Sequence, residues 1–403
     1  MQEIDIGRFY EKVLQPLTPS PEVVKLIQLV MLGGETTEDF AQILSRDSEL
    51  QHWVRITVQR LGFDKRVSKL GQAIILLGQN RIRDLIIGRQ IERKFIKPGD
   101  TLLDKLKAEA AKAKEKEKSQ KKPAAPKSGE KSTEPEPGKT PEPKTESEFE
   151  TIPQLSDYKT YLEFGTKAEE VSMTIRNSYP GQAFSGGILF DYIRHYLKGV
   201  VSDQIKEPSL KNTNKYVEEI FKDGIRAGIA ANEIVQKISI PHQKFVFVAA
   251  LVHNLGKALL FGYDPIAFEK SFLDSTGSKD SKKRLESDEA EDFHFGLDHA
   301  QAGSLYLGRL PFLVELDRSI DYHHNPHLLK FSSPKLYALA CVLRVSGALA
   351  KIYQKTRKEN PNVEGIRDQR LIKSEEFLHL KLNEAEWADI KSNYVLKLMK
   401  VGF

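Results

Sequence analysis

Between Ile96 and Glu148 the chain carries no aromatic residue, and from Lys105 to Glu150 it is built almost entirely from Lys, Glu, Ala, Pro, Ser and Thr. A stretch of that composition cannot bury enough apolar surface to offset the entropy of ordering it. The chain is therefore expected to fold as two blocks, residues 1–97 and residues 151–403, joined by a disordered linker over 98–150. The start of the linker, LLDKLKAEAAKAKEKEK, consists of good helix formers and can prolong a helix. Beyond Pro123 the run EPEPGKTPEPKTESE predicts an extended, flexible tether. Its lysines are interleaved with glutamates that cancel much of their charge, which favours a solvated linker over a nucleic-acid-binding tail.

Both blocks have the apolar spacing of helices, and no strand alternation appears in the first. Ser20 and Pro21 start a helix as N-cap and first helical residue, with Val23, Val24, Leu26, Ile27, Val30 and Met31 on its face and Gly33-Gly34 at its end. Thr36 to Asp39 has the form of a capping box. Asp47 caps the next helix, whose stripe of Leu50, Trp53, Val54 and Val58 stops at Gly62. Ser68 is placed to cap a helix with Leu70, Ala73, Ile74 and Leu77. Gly78 interrupts it, and Ile82, Leu85 and Ile86 continue. In the second block helices are predicted over Tyr158–Arg176, Phe184–Val200, Tyr216–Ile238, Lys244–Phe261 and Pro334–Lys355, closed by Trp387–Met399. The glycine-rich GQAFSGG at Gly181–Gly187 reads as a hinge or a tight turn between helices. The fold class is all-α.

Lys+Arg and Asp+Glu number 61 and 56, a net charge of +5. This near balance does not call for nucleic acid as a specific partner. The single cysteine, Cys341, lies in an apolar run. It excludes a disulfide framework or a Cys-based zinc site, and fits a reducing cytoplasm. The N-terminus MQEIDIGRFYEK lacks the basic and apolar regions of a secretory signal. The longest apolar stretch, Phe245–Val252, is far shorter than the roughly 20 residues of a membrane-spanning helix. A cytoplasmic location with no membrane contact is expected.

Several segments resemble the HDOD family, a relative of the HD phosphohydrolases. In the first block these are LTPSPEVVKLIQLV, EDFAQILSRDSEL and RVSKLGQAIILLGQNRIRDLII, although Ser48 stands where that family usually has proline. In the second block FVFVAALVHNLGKALL resembles the HD core helix, and FGLDHAQAGSLYLGRLPFLVELDRSIDYHHNP resembles the family's histidine-bearing segment. The resemblance spans about Thr18 to Arg93 and Tyr216 to Leu349. It implies an N-terminal helical subdomain packed on an HD-like helical subdomain, with Thr151–Thr213 as an insertion.

Catalytic HD enzymes hold divalent metal with a His, a His-Asp pair and a late Asp, because imidazoles and carboxylates bind the ion and offset its charge while it activates water. Carried over, the first His falls on Asp223. The pair becomes His253-Asn254, and the late Asp falls near Gly347, with the neighbouring Ser346 no better. His299, His323 and His324 match further histidines of the family. His253 also reads as a core histidine donating to a backbone carbonyl. His323 and His324 sit at a helix end where an imidazolium would suit the helix dipole. Lys257, in HNLGK, is either a phosphate contact or a solvated lysine. No Walker loop, dinucleotide fingerprint or nucleophile elbow is present.

The resemblance and these departures together predict a pseudoenzyme with relic site positions, no catalytic residue, no bound metal and no cofactor. Its expected role is that of a signal-transduction output or scaffold module. It would work through protein partners in a pathway linked to cyclic dinucleotides or response regulators, with a nucleotide ligand possible. The alternatives are a metal-dependent phosphohydrolase acting on a nucleotide or cyclic dinucleotide, and a ligand sensor without turnover.

Overall fold

The structure, a computed structural model, describes residues 4–32, 35–60, 69–96, 180–204, 213–276, 285–310, 314–359 and 368–403, with isolated positions between 100 and 112. Most of the expected linker, the helix expected over Tyr158–Arg176, and the proposed caps at Gly33-Gly34, Gly62 and Ser68 lie outside the described residues. The described residues are helical and contain no strand. The helices are α1 (Ile6–Phe9), α2 (Gln15–Leu17), α3 (Pro21–Leu32), α4 (Thr37–Leu44), α5 (Ser48–Arg60), α6 (Leu70–Leu77) and α7 (Gln79–Phe95). They continue with α8 (Pro180–Gln204), α9 (Thr213–Val235), α10 (Val246–Val252), α11 (Leu255–Tyr263), α12 (Pro265–Thr276) and α13 (Ser287–Phe295). The last are α14 (His299–Leu307), α15 (Val314–Asp321), α16 (Pro334–Glu359), α17 (Glu375–His379) and α18 (Glu384–Lys400).

Residue contacts group Met1–Ile43 with Thr160–Phe403, and Leu44–Lys159 apart from them. This grouping cuts the 1–97 block at residue 43. The physical reason lies in α3, which packs on α8 so closely that a Cβ on Gly181 would stand 2.0 Å from the Val30 carbonyl oxygen. Gly181–Gly187 is thus helix interior at a tight crossing, and the hinge reading is corrected.

In the smaller unit, α5, α6 and α7 bury Leu50, Trp53, Val54, Val58, Ala73, Ile74, Leu77, Ile82, Leu85 and Ile86. Asp47 accepts from the Leu50 N–H at 3.0 Å and so caps α5. Gly78 takes φ +81°, a left-handed value that separates α6 from α7. Arg89 and Arg93 on α7 pair with Asp47, Glu49 and the fully buried Glu92.

In the larger unit, α8 lies against α3, α9, α10 and α11. Its fully buried Asp191 and nearly buried Arg194 pair at 3.1 Å. The N-terminal segment is tied in by side chains distant in sequence. Tyr196 Oη donates to the Lys12 carbonyl at 2.5 Å, and Tyr306 Oη donates to the Leu17 carbonyl at 3.2 Å. The helix expected over Lys244–Phe261 is broken into α10 and α11 at His253-Asn254. Asn254 takes φ −95°, ψ 6°, which turns the chain, and the His253 ring bonds a carbonyl of the preceding turn. Two helical stretches, Gln243–Tyr263 and Pro334–Arg357, are long and apolar enough to cross a membrane by length and composition. Both are mostly buried within the fold, a property shared by core helices. The uninterrupted apolar run Phe245–Val252 lies inside the first of them.

Candidate functional site

Four elements of the larger unit bring the four histidines together. The turn between α10 and α11 carries His253 and Asn254. α14 opens on His299. The turn after α15 carries His323 and His324, and α16 faces them with Arg344, Gly347 and Lys351. His299 is placed by its N-cap: Asp298 accepts from the Gln301 N–H at 2.9 Å, and Gln301 accepts in return from the Asp298 N–H at 3.0 Å. α11 can reach α14 because residue 256 is glycine. A Cβ there would lie 1.8 Å from the His299 carbonyl oxygen. Ring centroids are 5.2 Å apart for His253 and His323, 5.6 Å for His299 and His323, 4.7 Å for His299 and His324, and 4.0 Å for His323 and His324.

The partners of each ring fix its proton. His253 Nδ1 lies 2.5 Å from the Ala250 carbonyl and His323 Nδ1 lies 2.7 Å from the Ile320 carbonyl. A carbonyl only accepts, so each Nδ1 carries the hydrogen and each Nε2 keeps its lone pair. Arg344 lies 2.9 Å from His324 Nδ1, and a guanidinium only donates. A neutral His324 then holds its hydrogen on Nε2, which lies 2.9 Å from His299 Nε2. His299 Nε2 is the acceptor, and His299 Nδ1 donates to Glu291 Oε2 at 2.5 Å. The result is one directed chain from Arg344 through His324 and His299 to Glu291.

Electrostatics agree with neutral rings. Burial pushes His253 down to about 3, against the Ala250 hydrogen bond that raises it. Burial also lowers His299, and lowers His323 and His324 well below the ordinary histidine value, with neighbouring histidines and Arg344 adding to the effect on the last two. The imidazolium expected for His323 and His324 at a helix end is therefore corrected. His323 does bond a carbonyl in the last turn of α15, but as a neutral donor. Burial opposes charge on Glu291 as well, yet His299 and Lys257 hold its carboxyl below the usual carboxylate range. It accepts both the His299 backbone N–H at 2.8 Å and the ring Nδ1–H. Lys351 is exposed as a residue, but desolvation first, then Lys257 and Arg344, pulls its ammonium down to about 8.

Asp223 is not among the histidines. Its half-exposed carboxylate pairs with Arg226 at 2.5 Å and accepts from Gln354 at 3.5 Å, with Lys257 close enough to act on its charge. Gly347 stands where a Cβ would be 3.3 Å from His253 Nε2, so the missing carboxylate would have faced that ring. Ser346 is buried and donates to the Leu343 carbonyl. Asn254 is nearly buried beside His253. Lys257 is half-buried and acts on His253, His299 and Lys351. Sequence reasoning missed Glu291, Asp288, Arg344 and Lys351. Arg344 and Lys351 precede and follow Gly347 by about one helical turn, and that spacing was the available signal.

The ligand atoms of His299, His323 and His324 lie within 4.8 Å of one another, a spacing that suits a metal ion. The remaining chemistry does not suit it. Among the described residues no carboxylate joins the three rings, since Glu291 and Asp288 stand behind His299 and His324. The lone pairs of His299 Nε2 and His324 Nδ1 already accept hydrogen bonds. Arg344 brings a positive charge against the cluster. As these hydrogen bonds stand, the residues do not fit a divalent cation.

No curated protein matches the chain. Among solved structures, a Shewanella amazonensis SB2B protein provisionally assigned as a phosphohydrolase aligns at 13% identity over 64% of this chain and 87% of its own, with a TM-score of 0.42. An HDOD domain protein of unknown function from Geobacter sulfurreducens aligns at 13% identity over 96% of this chain and 94% of its own, with a TM-score of 0.37. The HDOD domain family matches residues 196–326, a span that includes Asp223, all four clustered histidines and Lys257 but stops short of Arg344 and Gly347. Residues 196–326, about a third of the chain, are thus similar to the HDOD domain family.

Proposed function

We propose that this HDOD-like chain is a non-catalytic output or scaffold module, working through protein partners in a bacterial regulatory pathway linked to cyclic dinucleotides or response regulators. The observation that carries the reading is the makeup of the histidine cluster. Metal-activated hydroxide needs a filled site with carboxylates against the ion. Here Asn254 and Gly347 stand at two carboxylate positions, Asp223 pairs with Arg226, and a guanidinium bonds His324. Exposed Leu328, Phe331 and Leu378, on segments joined by the Lys330–Glu375 ion pair, offer surface for a protein partner. Phe331 is 91% exposed, unusual for an aromatic ring unless something covers it in use. The same reading proposes a cytoplasmic setting and calls for no cofactor.

The second reading, a metal-dependent phosphohydrolase of nucleotides or cyclic dinucleotides, draws on the convergence of His299, His323 and His324. Purified protein supplied with manganese, iron, magnesium or zinc should not hydrolyse cyclic dinucleotides, nucleotides or an aryl phosphodiester. Turnover that His253→Ala abolishes would overturn the non-catalytic reading and establish the second.

A further inference from the structure

We infer that Arg344 is the resident cation of the histidine cluster, and that by bonding His324 Nδ1 it closes a three-imidazole site that would otherwise take a divalent transition metal. This goes beyond the non-catalytic reading while resting on the same site. The argument is one of lone pairs. A metal binds the imidazole nitrogen that carries no hydrogen. His323 offers a bare Nε2 because its hydrogen is committed to the Ile320 carbonyl. His299 would offer one too, because Glu291 fixes its hydrogen on Nδ1, the carboxylate–histidine arrangement that usually supports a metal ligand. Only His324 is turned the wrong way. Arg344 at 2.9 Å forces its hydrogen onto Nε2, where it fills the lone pair of His299 at 2.9 Å.

One contact therefore disables two of the three ligands. The reversed state is already provided for. Asp288 Oδ2 lies 3.6 Å from His324 Nδ1 and would take an Nδ1–H if the guanidinium were gone. His324 Nε2 and His299 Nε2 would then face each other with two lone pairs, close to the spacing of two nitrogens bound to one ion at about 2.0–2.1 Å each. Removing Arg344 also removes a positive charge that opposes a second cation.

Arg344→Met keeps the length and apolar stem of the side chain while deleting charge and donors. Titration of the full chain with cobalt(II), followed by calorimetry and by visible absorption, should show Arg344→Met binding one ion with four-coordinate colour, tighter than wild type by about 10–100-fold, the usual reach of an outer partner on metal affinity. Adding His299→Ala to that variant should abolish the gain. Equal affinity in wild type and Arg344→Met would overturn the inference, as would a folded Arg344→Met that gains nothing. Long-range nitrogen–proton NMR of wild type tests it without any variant. His324 must show its hydrogen on Nε2, and a hydrogen on Nδ1 would overturn it. Phosphoester turnover by wild type bears on the proposed function and leaves these readouts separate.

Discussion

The four histidines divide into two pairs held by different means. His253 and His323 each donate Nδ1–H to a carbonyl three positions earlier, Ala250 and Ile320. The state of each ring is set inside its own turn of chain. His299 and His324 are instead held by charged side chains from other elements, Glu291 on α13 and Arg344 on α16. The first pair would survive most changes elsewhere in the fold. The second exists only while four segments remain docked, so it reports on tertiary structure and is the pair that a ligand or a substitution can reset.

The sharpest way to break that contrast is Glu291→Ala. It leaves the His299 N–H and Nδ1–H without their acceptor in a buried place and should cost about 3 kcal/mol, as loss of one partner of a buried charged network does. Urea denaturation measures it, and a loss under about 1 kcal/mol would show that the Glu291–His299 bonds do not hold the second pair.

Acid should strain both pairs. All four rings have folded values below the ordinary histidine value, down to about 3 for His253, so the unfolded chain binds more protons below pH ~6.5. Stability present above that pH is lost as the pH falls toward the folded values, by about 1.4 kcal/mol per pH unit for each ring that stays neutral only when folded. Melting temperatures should therefore drop steadily from pH 6.5 to 5, and a flat profile would contradict the buried, neutral assignment.

The smallest effect is expected at the locally held pair. In His323→Asn the amide nitrogen occupies the place of Nδ1 and keeps the donor to the Ile320 carbonyl, so the cost should be about 1 kcal/mol. Chemical denaturation beside Glu291→Ala completes the comparison, and equal losses in the two variants would erase the distinction between the pairs.

The division also marks what could be read from the residues in order. The all-α class, the caps at Ser20, Thr36 and Asp47, and the core stripes of α3 and α5 follow from local spacing, and the structure places them accordingly. The histidines stood out because they fall in recognisable segments. Glu291 did not, since SDEAEDFHF offers several acids and only tertiary placement selects one. Arg344 did not either, since its bond to His324 joins positions 20 apart in the chain and nothing in the local pattern LRVSGALA beyond its spacing from Gly347 marks it. The break at His253-Asn254 is hidden inside a largely apolar run, and the glycines of α8 look like a hinge until the close packing of Gly181 on α3 and of Gly186 on Leu251 of α10 is seen.

The hydrogen bond from Tyr306 to the Leu17 carbonyl spans 289 positions, which has a consequence for the order of assembly. Phe9, Val13, Leu14 and Leu17 are buried in the finished unit, yet a partner that ties them down is synthesised far later. At about 5–20 residues per second, the interval between Leu17 and Tyr306 leaving the ribosome is roughly 15 to 60 s. Tyr196, which holds the Lys12 carbonyl, emerges within that interval, but the tie from Tyr306 to Leu17 is made only at its end. Docking of the first turns is therefore completed late, at a speed set by translation as much as by the chain itself.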